Sequence, residues 1–194
     1  MSTYAVTDVA NYFINHYRNS VDPMNLPRLQ LFLYFAQAES LVRNGIPLFK
    51  DEIRAYPNGP AVTRMNFLYE EAGNSPIDVY GTYEDSMFTK SDLNLLLDVS
   101  VYYNKFSTTE LIIMSYTRGG PWEQVFNKDS THACTIDNDS IRTFHMDLPR
   151  IPSFMDVMLG SLGFDGVSCQ ASFNCDSDAA TKVYTSTEMS DTWE

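Results

Sequence analysis

Apolar positions recur at helical spacing along most of the chain. Between Thr7 and Tyr17, residues Val9, Ala10, Phe13, Ile14 and Tyr17 return every three or four positions, which predicts a helix with one buried face. Thr7 is a candidate N-cap, and Asp8 falls in the positively polarised first turn. After the loop NSVDPMN, the stretch LPRLQLFLYFAQAESLVRNG predicts the longest helix, over residues 25–44. Asn25 can cap it, Pro27 suits its first turn, and Gly45 stands where a C-terminal glycine belongs. One stripe of this helix holds Leu29, Phe32, Leu33, Ala36 and Ser40; a second holds Leu31, Tyr34, Phe35, Ala38 and Val42. A helix apolar nearly all round has to be central.

The connector PLFKDEIRAYPNG leads to PAVTRMNFLYEEAG, which predicts a third helix from Pro60 to Ala72 with Val62, Met65, Phe67, Leu68 and Tyr69 as its buried face. On this reading PNGP is a rigid corner that launches the helix, since proline fixes φ and glycine supplies positive φ. Residues 74–90 mix β-formers with turn residues and predict a hairpin. Ser91 or Asp92 then opens a helix through LNLLLDVSVYYNKF. Ser107 with Glu110 has capping-box spacing ahead of another helix that ends near Tyr116. RGGPW makes a second Gly–Pro corner, and DSIRTFHMD predicts a short helix from Asp139 to Asp147. The fold class expected is α+β, predominantly helical, with about six helices around the central apolar helix and a small β element near 76–90. Residues 1–148 form the expected domain, and 149–194, rich in Ser, Thr and Asp, an appendage.

Charge and chemistry narrow the function classes. Thirteen Lys and Arg against 25 Asp and Glu leave a net charge of −12, which opposes non-specific nucleic-acid binding and suits a basic partner. Cys134, Cys169 and Cys175 lack metal-ligand spacing and read as free thiols of a reducing cytosol; no charged-then-apolar leader and no membrane-length apolar run is present. No phosphate-loop, GxSxG, HExxH or EF-hand pattern occurs. His16 reads as a surface histidine on the polar side of the first helix. His132 and Cys134 lie two apart in a loop without an orienting partner, and His145 with Asp147 makes a lone HxD pair. Asp51–Glu52 and Glu70–Glu71 read as solvated charge. No catalytic residue, metal or cofactor is assigned. The twelve Phe, twelve Tyr and two Trp are more informative, because aromatic residues and Met are favoured in interface cores. Tyr80, Tyr83, Met87 and Phe88, with Glu84 and Asp85 among them, sit in a polar connector and are the candidate partner contacts.

A series of short motifs, in order, resembles the SocA-like antitoxin domain, or Panacea domain, of toxin–antitoxin operons, phages and other mobile elements. The matching positions are Leu29, Gln30, Leu33, Tyr34, Ala36 and Gln37 of the KLQKLLYYAQ-like run, then Pro47, Leu48 and Phe49. Ala55, Gly59, Pro60 and Val62 follow, and finally Pro121 and Trp122. The pattern carries lysine where Leu31 stands, tryptophan at Tyr56 and histidine at Thr117. The resemblance implies a cytoplasmic binder, not a catalyst, that neutralises a toxin by direct contact or by handing it to a protease. Its partner would be a protein, for which a basic surface would suit the charge, and neither nucleic acid nor membrane. A second reading is a phage-encoded acidic inhibitor of a host defence nuclease or nucleic-acid-binding effector.

Overall fold

The computed structural model describes residues 3–78, 81–126 and 133–161; Tyr80, His132, Cys169 and Cys175 lie outside them. Among the described residues the fold is predominantly helical, with α1 Val6–His16, α2 Leu26–Arg43, α3 Thr63–Tyr69 and α4 Lys90–Tyr103. They are followed by α5 Thr108–Ser115, α6 Pro121–Val125, α7 Asn138–Met146 and α8 Phe154–Ser161. Strands β1 Ile53–Tyr56, β2 Gly59–Val62 and β3 Cys134–Ile136 form one antiparallel sheet in the order β2-β1-β3.

Helix α2 is the axis of the fold. Every residue from Arg28 to Leu41 is buried, and α1, α3, α4, α5, α7 and β2 all pack against it. Asn25 accepts the Arg28 N–H as N-cap, with Pro27 in the first turn, as the sequence predicts. Phe32 meets Phe13 and Tyr17 of the α1 region edge-to-face, with centroids 5.3 and 5.7 Å apart. Phe35 stacks on Tyr103 of α4 at 4.1 Å. Each such pair contributes about 0.5–1.5 kcal/mol beyond its buried area. Ser107 and Glu110 close the capping box at the start of α5.

Local signals mislead at four places. Helix α1 begins at Val6 with Ala5 in the cap position and no side-chain cap, because the Tyr4 N–H pairs with the Leu48 carbonyl and that contact sets the entry of the chain. Thr89, not Ser91 or Asp92, caps α4, its hydroxyl accepting the Asp92 N–H. The strands do not lie near 76–90, where the described residues carry an isolated bridge from Pro76 to Asn25, a 3-10 turn over Asp85–Met87 and the start of α4. The hairpin is β1–β2, and PNGP is its turn: Pro57 and Asn58 form the loop, and Gly59 takes φ 118°. Four-residue strands are too short for a period of two to stand out. Since Pro60–Val62 is strand, α3 starts three residues later than predicted and buries only Met65, leaving Phe67 78% and Leu68 53% exposed.

The turn requires glycine. A side chain at Gly59 would be forced into a backbone region that L-residues avoid, so Gly59→Ala should lower stability by about 1–3 kcal/mol. Denaturant unfolding checks this, and an unchanged midpoint would contradict the hairpin geometry.

Candidate partner-binding surfaces

Two glutamines on the largely apolar α2 hold much of the scaffold in place. They are seven residues apart, hence on one face of the helix. Gln30 accepts the Val62 N–H at 2.8 Å and donates to the Val62 carbonyl at 3.0 Å, so its side-chain amide pairs with the outer edge of β2 as another strand would. The same nitrogen donates to Asn66 of α3 at 2.8 Å. Gln37 accepts from the Leu48 and Phe49 N–H groups at 2.9 and 3.2 Å. It also donates to the Phe49 carbonyl and to Asn138 of α7, both at 3.2 Å. Both amides are buried, so the backbone they satisfy has no recourse to water.

Between these clamps, Tyr34 places its hydroxyl 3.0 Å from Nε2 of His145 on α7. Burial holds the phenol protonated and pushes the His145 pKa down to about 4, so a neutral phenol meets a neutral imidazole. Arg28, 1% exposed, donates to the Phe106 carbonyl at 3.0 Å and faces the Phe32 ring at 5.2 Å, tying α2 to the α4–α5 turn. At the other end of α2, Arg43 bridges Glu39 at 2.8 Å and Asp98 of α4 at 2.6 Å. Asp98 also accepts the Phe154 N–H at 2.7 Å, which hooks α8 to α4.

Two surface features stand on this frame. The first is the hairpin face. Trp122 donates its indole N–H to the Tyr56 carbonyl at 2.9 Å and stacks between Tyr116 and Phe126 at 4.1 and 4.3 Å. Beside it, Leu26, Pro27, Leu31, Pro57, Pro60 and Asn66 line a cleft of about 200 Å³. The second involves the connector after Gly81, which lies against α1. Asn15 donates to the Gly81 carbonyl at 3.3 Å, and any Cβ on Gly81 would come within 2.3 Å of the Asn11 side chain. Tyr83 then packs on Tyr12 at 5.5 Å, and Tyr12, His16, Tyr83 and Asp85 line a cavity of about 310 Å³.

Residues 29–123 match the family model of the antitoxin SocA-like Panacea domain. Over that stretch the chain is similar to SocA-like Panacea domains. No curated protein and no solved structure matches it. The Panacea match supports a role related to toxin–antitoxin systems.

Within the matched stretch, Leu29, Tyr34, Phe49 and Pro60 are buried, Gln30 and Gln37 are the clamps, and Gly59 closes the hairpin turn. Pro121 opens α6, Trp122 reads the hairpin carbonyl, and half-buried Pro47 precedes the clamped loop. Where the family pattern has lysine, Leu31 is buried beneath the turn, with its Cδ2 near Gly59. Tyr56 reaches the Thr63 hydroxyl at 2.9 Å, and Thr117 donates to the Met114 carbonyl at 2.7 Å. Among the sequence-predicted contact residues, Glu84, Asp85 and Met87 are exposed, Tyr83 is half-buried, and Phe88 is buried against Tyr4 and Tyr12.

The remaining chemical candidates stay apart. His16 is exposed and stacks on Tyr12, Cys134 is a free thiol on β3, and His145 is occupied by Tyr34. Glu52 pairs with Arg54, and no group of His, Cys, Asp and Glu able to hold a metal ion occurs among the described residues. None of the described helices is long and apolar enough to cross a membrane. The sequence reading missed the partners Asn66, Asn138 and His145. The available signal was two amides within the apolar middle of α2, since a buried amide must find partners.

Gln37→Leu leaves two amide N–H groups and a carbonyl without partners, so it should cost roughly 3 kcal/mol or more, measured by denaturant unfolding. A loss below about 1 kcal/mol, the size of an ordinary exposed hydrogen bond, would contradict the clamp. His145 binds its proton less readily folded than unfolded. Its contribution is therefore complete above pH 6.5 and is lost as pH falls toward about 4, a difference of roughly 3 kcal/mol. The stability gap between wild type and His145→Gln should shrink over that window, and a constant gap would contradict it.

Proposed function

We propose that this protein is an antitoxin-like module that binds a partner toxin directly and neutralises it by occupying its working surface. The observation that carries this reading is the Panacea match over residues 29–123. The architecture supports it: α2 and its clamps fix a frame, while Tyr83, Glu84, Asp85 and Met87 lie on a connector outside it. Rigid frames carrying variable loops are how binding surfaces are commonly built. Residues 1–148 constitute the binding domain, and the segment from 149 onward is an appendage joined to it through Asp98 and α8.

The partner is a protein with a basic surface. A net charge of −12 accelerates encounter with such a surface and disfavours the phosphate backbone. Glu84, Asp85 and Met87, exposed beside Tyr83, form the contact region, with Tyr80 as the remaining candidate. Exposed Phe67 and Leu68 on α3 extend the available apolar surface beyond those residues.

Co-expression with the product of the adjacent gene tests the reading. Growth rescue together with a co-purifying complex is the expected result. Rescue should persist in a host deleted for its ATP-dependent proteases, because occupation needs no degradation. No complex and no rescue would reject the proposal.

A further inference from the structure

The cavity between α1, α4 and the connector after Gly81 has a composition that the scaffold does not require. Tyr12 forms a wall and is 4% exposed. Tyr83 stands nearly perpendicular to it, at 79° and 5.5 Å, and the His16 ring lies nearly parallel to it, at 19° and 5.6 Å. Leu93 and Leu97 of α4 complete an apolar lining, and Asp85 supplies a carboxylate. The Tyr83 hydroxyl donates to one oxygen of that carboxylate, which fixes both groups. Among the described residues no lysine or arginine lines the cavity.

Aromatic walls around a carboxylate form a receptor for an organic cation. The ring faces attract positive charge within about 6 Å of their centroids, and the carboxylate completes the neutralisation. An apolar guest would offer the Asp85 carboxylate no counter-charge, and an anion would be repelled by it. Desolvation of the ring lowers the His16 pKa, which weakens competition between a charged imidazole and the guest. Arginine fits better than lysine: its planar group stacks on rings and can present paired N–H groups to a carboxylate. The cavity is also preorganised. Gly81 is seated on Asn11 and Asn15, and Phe88 is buried between Tyr4 and Tyr12, so the connector is held at both ends.

We propose that this cavity receives an arginine side chain of the protein partner, packed against the aromatic lining beside Tyr83 and paired with Asp85. The identity of the partner rests on the antitoxin reading; the chemistry of the cavity does not. Arginine is therefore the anchor of the partner's basic surface, and the exposed Glu84 and Met87 flank it.

The test uses two probes on the full chain at physiological salt, where weak non-specific attraction is screened. An acetylated Gly-Arg-Gly-Arg-Gly amide is titrated by NMR beside the same peptide with citrulline, which keeps the shape and removes the charge. Amide shifts confined to residues around Tyr12, His16, Tyr83 and Asp85, present for arginine and absent for citrulline, are expected. Asp85→Asn should weaken the arginine peptide about tenfold or more, and Tyr83→Leu similarly, with Tyr83→Phe retaining most of the binding. Equal response to citrulline, shifts centred elsewhere, or full affinity in Asp85→Asn and Tyr83→Leu would each overturn the proposal. The toxin arm separates the two readings. If wild type rescues growth and Asp85→Asn binds the toxin equally well, the cavity assignment falls and the antitoxin reading stands. If wild type fails to rescue while the peptide binds as described, the antitoxin reading falls and the cavity assignment stands.

Discussion

The structure depends on satisfying backbone polar groups from inside a buried helix. A helix buried along its whole middle cannot send its neighbours' N–H and C=O groups to water, and a loop or strand edge laid against it would carry a large desolvation cost. Gln30 and Gln37 solve this with two amides. One completes the outer edge of β2 at Val62, and the other satisfies the turn at Leu48–Phe49 and reaches Asn138 of α7. A buried amide left half-paired is worse than an apolar side chain, so these positions specify one arrangement and reject sliding alternatives.

From that constraint the rest of the frame follows. The hairpin is held at Val62 by Gln30 and at the Tyr56 carbonyl by Trp122, which explains why residues so far apart in the chain belong to one motif series. Helix α7 is fixed by Asn138 at one end and by the Tyr34–His145 pair at the other. The ionic group Glu39–Arg43–Asp98 repeats the strategy at the far end of α2, where partial exposure lets charges replace amides. Charge pairs of this kind contribute less net stability than their geometry suggests, because each ion is partly desolvated, and here they position α4 and α8.

The sequence was informative where structure is local. Asn25, Ser107 with Glu110, and the continuous apolar run of α2 are decided within a few residues, so they could be read directly. The hairpin could not, because its strands are four residues long and owe their pairing to Gln30 and Trp122, which lie far away in sequence. The same error hid the exposure of Phe67 and Leu68: once Pro60–Val62 is strand, the register of α3 turns those side chains outward. Of the contact residues read from sequence, Phe88 went to the core while Tyr83 and Asp85 came together around a cavity with Tyr12 and His16 of α1. Such convergence depends on how the connector crosses α1, and one-dimensional spacing carries no record of it.

The central claim is a fixed frame with recognition confined to its surface. Hydrogen exchange of the free protein, and of any complex that co-purifies with it on co-expression with the adjacent gene, is the deciding measurement. Amides of α2 and of the Leu48–Phe49 turn should be strongly protected in both states, with new protection appearing over residues 81–88. A complex in which α2 gains or loses protection, or in which residues 81–88 exchange as freely as before, would contradict it.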